Sequence, residues 1–417
     1  MKSPFSRLHY GWVVLAIGML VVFGSLGLAR FGYTMVLPSM QEGLHLDNTQ
    51  TGVLATANLI GYLVLAVIGG AAASRYGPRL VIGAGLSLAG IAMVLTGLAN
   101  GFYTAAAWRA LTGIGSGASN VPVMGLLASW FATKHRGLAA GIAVSGSSLA
   151  LIFVGFLVPR VLDIYGENGW RMCWFIFGGV TLLIAIGGFF LLRNRPAERG
   201  LKPLGAERED AVLIPNVEKF HWGRVYRSSA VWHLGLVYVA FGFSYIIYMT
   251  FFTKHLIAEG AYSQEAAGSL FMTMGWVSLL CGLIWGAISD VIGRRRALII
   301  VYLIHATSFS LFALWPAPAG FTLSAVLFGL SAWSIPAIMA AACGDVFGPR
   351  LAPAALGLIT LLFGIGQAIA PSIAGAIADA TGSFFAAFLL AAAVALLGAL
   401  GSYMLRPAST MPINDSV

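Results

Sequence analysis

An all-α membrane protein, with twelve transmembrane helices in two six-helix bundles, is the fold class this sequence predicts. Three observations predict it. The 417 residues are 59% hydrophobic and only 9% charged, where a soluble chain carries about 25% charged. Apolar runs long enough to cross ~30 Å of hydrocarbon, ~20 residues each, recur along the whole length. Finally, the second half of the chain repeats features of the first at a fixed offset. A mean hydropathy of +0.87 leaves too little polar surface for a water-facing globule, which argues against a soluble enzyme, a disordered regulator or a nucleic-acid binder.

Taken in order, Lys2 and Arg7 precede an apolar run that starts at Tyr10 and ends near Leu37. It exceeds a signal-peptide core and lacks a small-residue cleavage site, so it is expected to stay as the first span. The twelve spans fall near 10–39, 49–73, 79–99, 102–131, 137–159, 171–192, 231–253, 265–289, 297–315, 320–347, 355–378 and 384–405. One long polar stretch with Pro196, Pro203 and Pro215 separates six from six. The expected organisation is therefore an N-terminal bundle over 1–192, a central loop over 193–230 and a C-terminal bundle over 231–417. With a cytoplasmic N-terminus, 19 of the 24 Lys and Arg fall in cytoplasmic segments and 3 on the opposite side. That split predicts both termini in the cytoplasm and a multi-pass protein of the cell (inner) membrane. The net charge of +9 is thus read as a topology signal, with the lipid bilayer and not nucleic acid as the partner. Cys173, Cys281 and Cys343 have no ligand-like spacing, so neither a disulfide framework, a metal site nor a cofactor is expected.

The repeat is visible at an offset of 216 residues. Gly70-Ala-Ala-Ala-Ser74-Arg75-Tyr-Gly77-Pro-Arg79 returns as Gly286-Ala-Ile-Ser-Asp290-Val-Ile-Gly293-Arg294-Arg295, Gly113 meets Gly329, and Gly141 meets Gly357. Parallel repeats of this kind are one known transporter architecture. These residues, with Arg109-Ala-Leu-Thr-Gly113-Ile-Gly115-Ser-Gly117 in the fourth span, resemble the motifs of the major facilitator superfamily. The resemblance implies a conformational latch at Gly70, Arg75, Gly77 and Arg79 and again at Gly286, Asp290, Gly293, Arg294 and Arg295. Ser74 stands where the first loop's acid belongs, so the working latch is expected around Asp290. An acid and an arginine across such a loop make a charge-assisted contact that can hold one conformation and break in another. The alternative is that the glycines only pack helices.

Charged groups at bilayer depth cost ~2.5–3.5 kcal/mol on insertion scales, so they are functional hypotheses by default. All fifteen acids fall in loops or at span ends. Arg30 lies about ten residues from the end of its span, ~15 Å at 1.5 Å per residue. With no intramembrane carboxylate to pair with, its expected partner is an anionic substrate or backbone carbonyls. Arg109 sits shallower, on a face shared with Asn120. The repeat sets Tyr245 against Arg30 and Tyr248 against Tyr33, near an offset of 215. Asn58, Trp333 and Gln367 are further polar groups deep in spans. The substrate-binding candidates are therefore Arg30, Tyr33, Asn58, Arg109, Asn120, Tyr245, Tyr248, Trp333 and Gln367, each also readable as an interhelical packing residue. His305, in the ninth span, reads as a packed polar residue.

The stretch Trp130-Phe-Ala-Thr-Lys-His-Arg136-Gly-Leu-Ala-Ala-Gly141 is similar to the junction of the fourth and fifth spans in the monocarboxylate and oxalate–formate transporter branches, which implies small organic anions. Those branches carry a basic residue in the eighth or eleventh span; here the eighth has none and the eleventh offers Gln367. Gly27-Leu-Ala-Arg30-Phe-Gly-Tyr33 resembles an uncharacterised bacterial branch. The expectation is a secondary active transporter of a short carboxylate, working as a monomer by alternating access, with a coupling proton or an exchanged anion. An exporter of apolar or drug-like compounds, using Phe241, Phe243, Tyr245 and Phe251, and a membrane sensor are the alternatives. No intramembrane triad or ligand cluster suggests an enzyme.

Overall fold

The computed structural model describes residues 9–132, 135–206 and 227–405. Lys2, Arg7, Lys134, Arg208, Lys219, Arg224 and Arg406, which count toward the charge asymmetry, lie outside the described residues, as does most of the central loop. The described residues are almost wholly helical. We label the helices α1 (Gly11–Leu44), α2 (Asn48–Tyr76), α3 (Pro78–Gly97), α4 (Phe102–Trp130), α5 (Arg136–Tyr165), α6 (Gly169–Leu191) and α7 (Ser229–Ala258). The remainder are α8 (Gln264–Ser278 and Cys281–Ile292, bent by 41°), α9 (Arg294–Leu314), α10 (Pro318–Phe347), α11 (Ala355–Thr381) and α12 (Phe385–Tyr403).

The expected twelve helices are present, although hydropathy and length alone single out nine among the described residues, or ten with the bent pair. The difference has simple causes. The apolar run Arg136–Leu191 contains both α5 and α6, separated only by a short 3₁₀ turn at Gly166–Asn168. Helix α4 dilutes its apolar content with Arg109, Asn120 and a series of glycines and serines. In the other direction, Ser334–Thr381 runs as one continuous helix of 48 residues. At 1.5 Å per residue it would measure ~72 Å, too long for one crossing, and it joins the end of α10 to α11.

Local chemistry sets the ends. Asp47 opens α2 with a reciprocal capping box: Gln50 N–H donates to Asp47 Oδ1 at 2.6 Å, and Asp47 N–H to Gln50 Oε1 at 3.1 Å, satisfying donors the first turn leaves open. Gly77 and Gly293, one offset apart, end α2 and α8 with nearly the same backbone, φ 88°, ψ 140° and φ 88°, ψ 147°. Side chains rarely adopt that conformation, so both glycines are needed for the turn.

The described residues form two compact units: one combines those up to Ala206 with Tyr262–Trp276, the other holds those from Arg227 to Ala261 and from Val277 to Leu405. In the first unit α4 is the packing hub, and its glycine pattern explains why. Gly113 and Gly117 lie against the α2 backbone at Asn58, Tyr62 and Ala66, while Gly115 lies against the α3 backbone at Gly85 and Ala89. A Cβ at any of the three would collide with main chain. Alternate glycines thus admit two neighbours at backbone distance, the close approach that packing in lipid favours. In the second unit α7 and α11 meet the same way, with Gly242 against the Phe363 carbonyl and Gly366 against the Val239 carbonyl.

Candidate functional site

Helix α1 is not regular through its middle. Residues Phe23–Phe31 form a π-helical stretch, closed by a bond from Gly32 N–H to the Gly27 carbonyl. Such wide turns are uncommon and concentrate at functional sites. Glycines let neighbours close on it: Gly27 meets Ala150 of α5, Gly146 of α5 meets the Met19 carbonyl, and Gly24 lies against Thr181 of α6. Arg30 sits in the last turn of the wide stretch.

The two intramembrane arginines have different surroundings. Arg109 is 1% exposed. Its Nη1 donates to the Ala29 carbonyl at 2.6 Å, and its guanidinium lies 4.6 Å from the Tyr33 ring centre and 5.1 Å from that of Trp174. A cation enclosed by two π faces and a carbonyl is stabilised without a counter-ion, and here it ties α4 to the π stretch of α1, leaving its Nε as the one buried nitrogen of Arg109 without a hydrogen-bond partner among the described residues. Arg30 is only partly buried, and its guanidinium lies 4.6 Å from the Tyr62 ring centre. Its Nε and Nη2 are shielded from solvent and meet no hydrogen-bond partner among the described residues. Those two nitrogens form the side-on fork with which a guanidinium takes an oxyanion in two parallel bonds.

Tyr62, one turn along α2 from Asn58, links the site. Its ring carries Arg30 and its hydroxyl accepts a bond of 2.9 Å from Asn120 Nδ2. Asn120 is 8% exposed, and its Oδ1 has no partner among the described residues. The first unit therefore brings Arg30, Tyr62 and Asn120 together. Asn58 donates to the Arg109 carbonyl at 3.1 Å, and Tyr33 donates to the Thr51 carbonyl at 2.8 Å, so both brace helices.

In the second unit Tyr245 pairs with Gln367 and belongs to a stack of rings: Phe241 lies 4.6 Å away, and Phe363 lies 4.4 Å from Tyr238. His305 joins this stack, 5.7 Å from Phe241 and 5.4 Å from Phe328. Tyr248 lies apart, its hydroxyl 2.9 Å from Ser324 Oγ and its ring among Phe309, Phe312 and Phe328. Trp333 marks the break in α10, where its N–H meets Cys281 Sγ at 3.3 Å.

At the second latch loop, Arg294 forms ion pairs with Asp290 at 2.5 Å and Asp345 at 2.9 Å, and a hydrogen bond to Ser289 Oγ at 2.5 Å. Asp345 carries no motif signal in the sequence; it enters because α10 runs past the loop. Arg295 lies 4.7 Å from the Tyr403 ring. At the first loop Arg79 Nε donates to the Phe189 carbonyl at 2.6 Å, Ser74 Oγ to the Gly70 carbonyl at 3.0 Å, and Arg75 is exposed. A Cβ at Gly70 or Gly286 would meet nothing within 4 Å.

A family model described as "Uncharacterised MFS-type transporter YbfB" matches residues 22–402. Over 415 residues the chain is 25% identical to the probable sulfoacetate transporter of Cupriavidus necator, covering 93% of this chain and 92% of that one. Over 387 residues it is 24% identical to the hexuronate transporter of Bacillus subtilis, covering 89% of each. A crystal structure of a bacterial homologue of the human lysosomal transporter Spinster, inward-facing and unoccupied, superposes with a TM-score of 0.77 at 16% identity, over 96% of this chain and 97% of that one. That likeness bears on the fold alone.

Proposed function

From the premise that the chain belongs to the MFS-type transporter family described as Uncharacterised MFS-type transporter YbfB, and is thus a membrane transporter, not an enzyme, we propose that it moves a small organic anion with a carboxylate or similar oxyanion. The observation that carries this is Arg30: a cation at membrane depth whose Nε and Nη2 are buried and unpaired. Burying N–H groups without hydrogen-bond partners is costly; apart from the Tyr62 ring beside the guanidinium, these two nitrogens meet none among the described residues, and an oxyanion on the side-on fork would supply both bonds and a counter-charge. Arg109 nearby adds positive potential while its own contacts hold the π stretch in place. The names of the two curated relatives, a sulfoacetate and a hexuronate transporter, support an organic anion.

Transport then proceeds by rocking of the two halves, 1–192 and 231–417, about the loop 193–230, with both termini cytoplasmic in the cell (inner) membrane and the monomer as the working unit. All fifteen acids lie in loops or at span ends, so exchange against a second anion, or a proton entering with the substrate, suits the sequence better than a buried carboxylate as proton carrier. One observation favours the exporter reading, the ring stack of Tyr238, Phe241, Tyr245 and the part-buried Phe363 in the second unit.

A thermal-shift screen separates the two. Binding raises the melting temperature by mass action. The anion reading expects short carboxylates to stabilise the wild-type protein and not Arg30→Gln. Equal stabilisation of both proteins by lipophilic cations, with indifference to carboxylates, would replace it with the exporter.

A further inference from the structure

Beside the Arg30 fork stands a second, neutral recognition element. Asn120 Nδ2 and the Tyr62 hydroxyl are 2.9 Å apart, and Asn120 Oδ1 is buried without a partner among the described residues. Two hydrogen-bonding arrangements fit this contact. With the amide donating to the phenol oxygen, the phenol proton and Asn120 Oδ1 are left over. With the amide turned over, the phenol donates to Oδ1, and the Asn120 NH₂ and a phenol lone pair are left over. Counting both amide hydrogens, the pair either way presents two free donors and at least one free acceptor on neighbouring atoms. We propose that this pair reads a hydroxyl group on the substrate, so that the transported anion is a hydroxycarboxylate whose carboxylate lies on the Arg30 fork and whose hydroxyl is held between Tyr62 and Asn120.

The chemistry narrows the choice. A hydroxyl is the simplest group whose one oxygen both donates and accepts, matching a free donor and a free acceptor at once. An ammonium only donates, would leave the acceptor-seeking proton unmatched, and would stand next to the Arg30 cation. An ether only accepts, and a methylene would leave both buried polar atoms unpaired, a loss that makes sites of this kind reject deoxy analogues strongly. The geometry is compact: Tyr62 touches the guanidinium with its ring, at 4.6 Å, and the amide with its hydroxyl, so the two elements are separated by no more than one tyrosine side chain. The inference rests on the organic-anion reading of Arg30 and refines it.

Titration calorimetry on the purified full-length protein tests it with matched pairs, lactate against propanoate and 3-hydroxybutanoate against butanoate, on wild type, Arg30→Gln, Asn120→Leu and Tyr62→Phe. The expected result is that wild type prefers the hydroxylated member of at least one pair by ~10-fold or more. The preference should shrink to about 2-fold or less in Asn120→Leu, and be reduced in Tyr62→Phe, while the deoxy acid binds these variants as it binds wild type. That last reading keeps the test valid if one variant folds poorly. Equal binding of both members by wild type, or a preference surviving in both Asn120→Leu and Tyr62→Phe, would overturn the hydroxyl assignment and leave the anion site standing. Binding of no carboxylate, or of all of them undiminished in Arg30→Gln, would overturn the anion reading and this inference with it.

Discussion

The loops after α2 and α8 are one offset of 216 residues apart and differ in an instructive way. Their backbones agree: Gly77 and Gly293 turn at the same φ of 88°, and Arg79 and Arg295 each lie 4.7 Å over an aromatic ring, Phe189 and Tyr403. Their charges do not. The ion cluster of the second loop is Asp290, Arg294 and Asp345, and the residues one offset earlier are Ser74, Pro78 and Ser129. All three charged members are absent together, so the first loop lacks a whole device and not one residue of it. The same division holds within the bundles, where the first unit carries Arg30 and the buried Arg109 and the second a stack of rings. The repeat preserves backbone geometry, which packing demands of both halves, and lets the electrostatics diverge.

The largest expected effect breaks the shared part. Gly113→Val would drive a branched side chain into the Asn58 carbonyl, and overpacking of this kind costs ~1–3 kcal/mol or more. The melting temperature of the purified protein should fall by several degrees, whereas Gly286→Ala, with open space at its Cβ, should leave it unchanged. Next comes the divergent part: Arg30→Gln removes charge-assisted bonds worth ~1.5–3 kcal/mol and should weaken anion binding ~10- to 100-fold, while Tyr245→Phe, which takes the bond from Gln367 and removes no charge, should change it by a few-fold. Titration calorimetry reads both.

A smaller effect concerns pH. Glu259 lies just beyond α7. Partial burial pushes its carboxyl upward, but the His255 ring nitrogen at 3.3 Å, the Phe384 N–H at 2.7 Å and the Ser383 hydroxyl at 2.5 Å outweigh burial and bring it down to about 2. A carboxyl lowered on folding adds stability that is present above its ordinary value of 4.5 and lost as pH falls toward 2. The melting temperature should therefore decline across that window, and decline less in Glu259→Gln. The smallest effects return to the loops. Asp290 is 64% exposed, so Asp290→Asn should cost under ~1 kcal/mol, less at high salt. Ser74→Asp should do nothing to stability, because Pro78 stands where its arginine would be.

Much of the fold was legible because the signals were coarse: long apolar runs, one polar interruption and glycines in register. Helix α4 shows the limit, since the glycines and Asn120 that make it the hub of its unit also lower its hydropathy. The depth of Arg30 and Arg109 could be counted along the chain, but their partners could not. Counting at 3.6 residues per turn assumes a regular helix, and the π stretch of Phe23–Phe31 turns the faces of α1 relative to that count. Nothing in the residue types separates Arg30, whose fork lacks hydrogen-bond partners among the described residues, from Arg109, held by Ala29, Tyr33 and Trp174. Tyr62 became central, and Asp345 joined the ion cluster, through contacts between helices distant in sequence. Gly113 and Gly117 do hint at the first, because they bring α2 to backbone distance of α4.

The proposed transport mechanism stands or falls on Arg30 holding the transported anion. Its most direct test is uptake of a radiolabelled carboxylate, chosen by the binding screen, into proteoliposomes reconstituted with wild type or Arg30→Gln at equal protein content. Saturable uptake by wild type that falls to the level of empty liposomes in Arg30→Gln, with the variant's melting temperature kept, is the predicted result. Uptake at the wild-type rate in Arg30→Gln would contradict the claim.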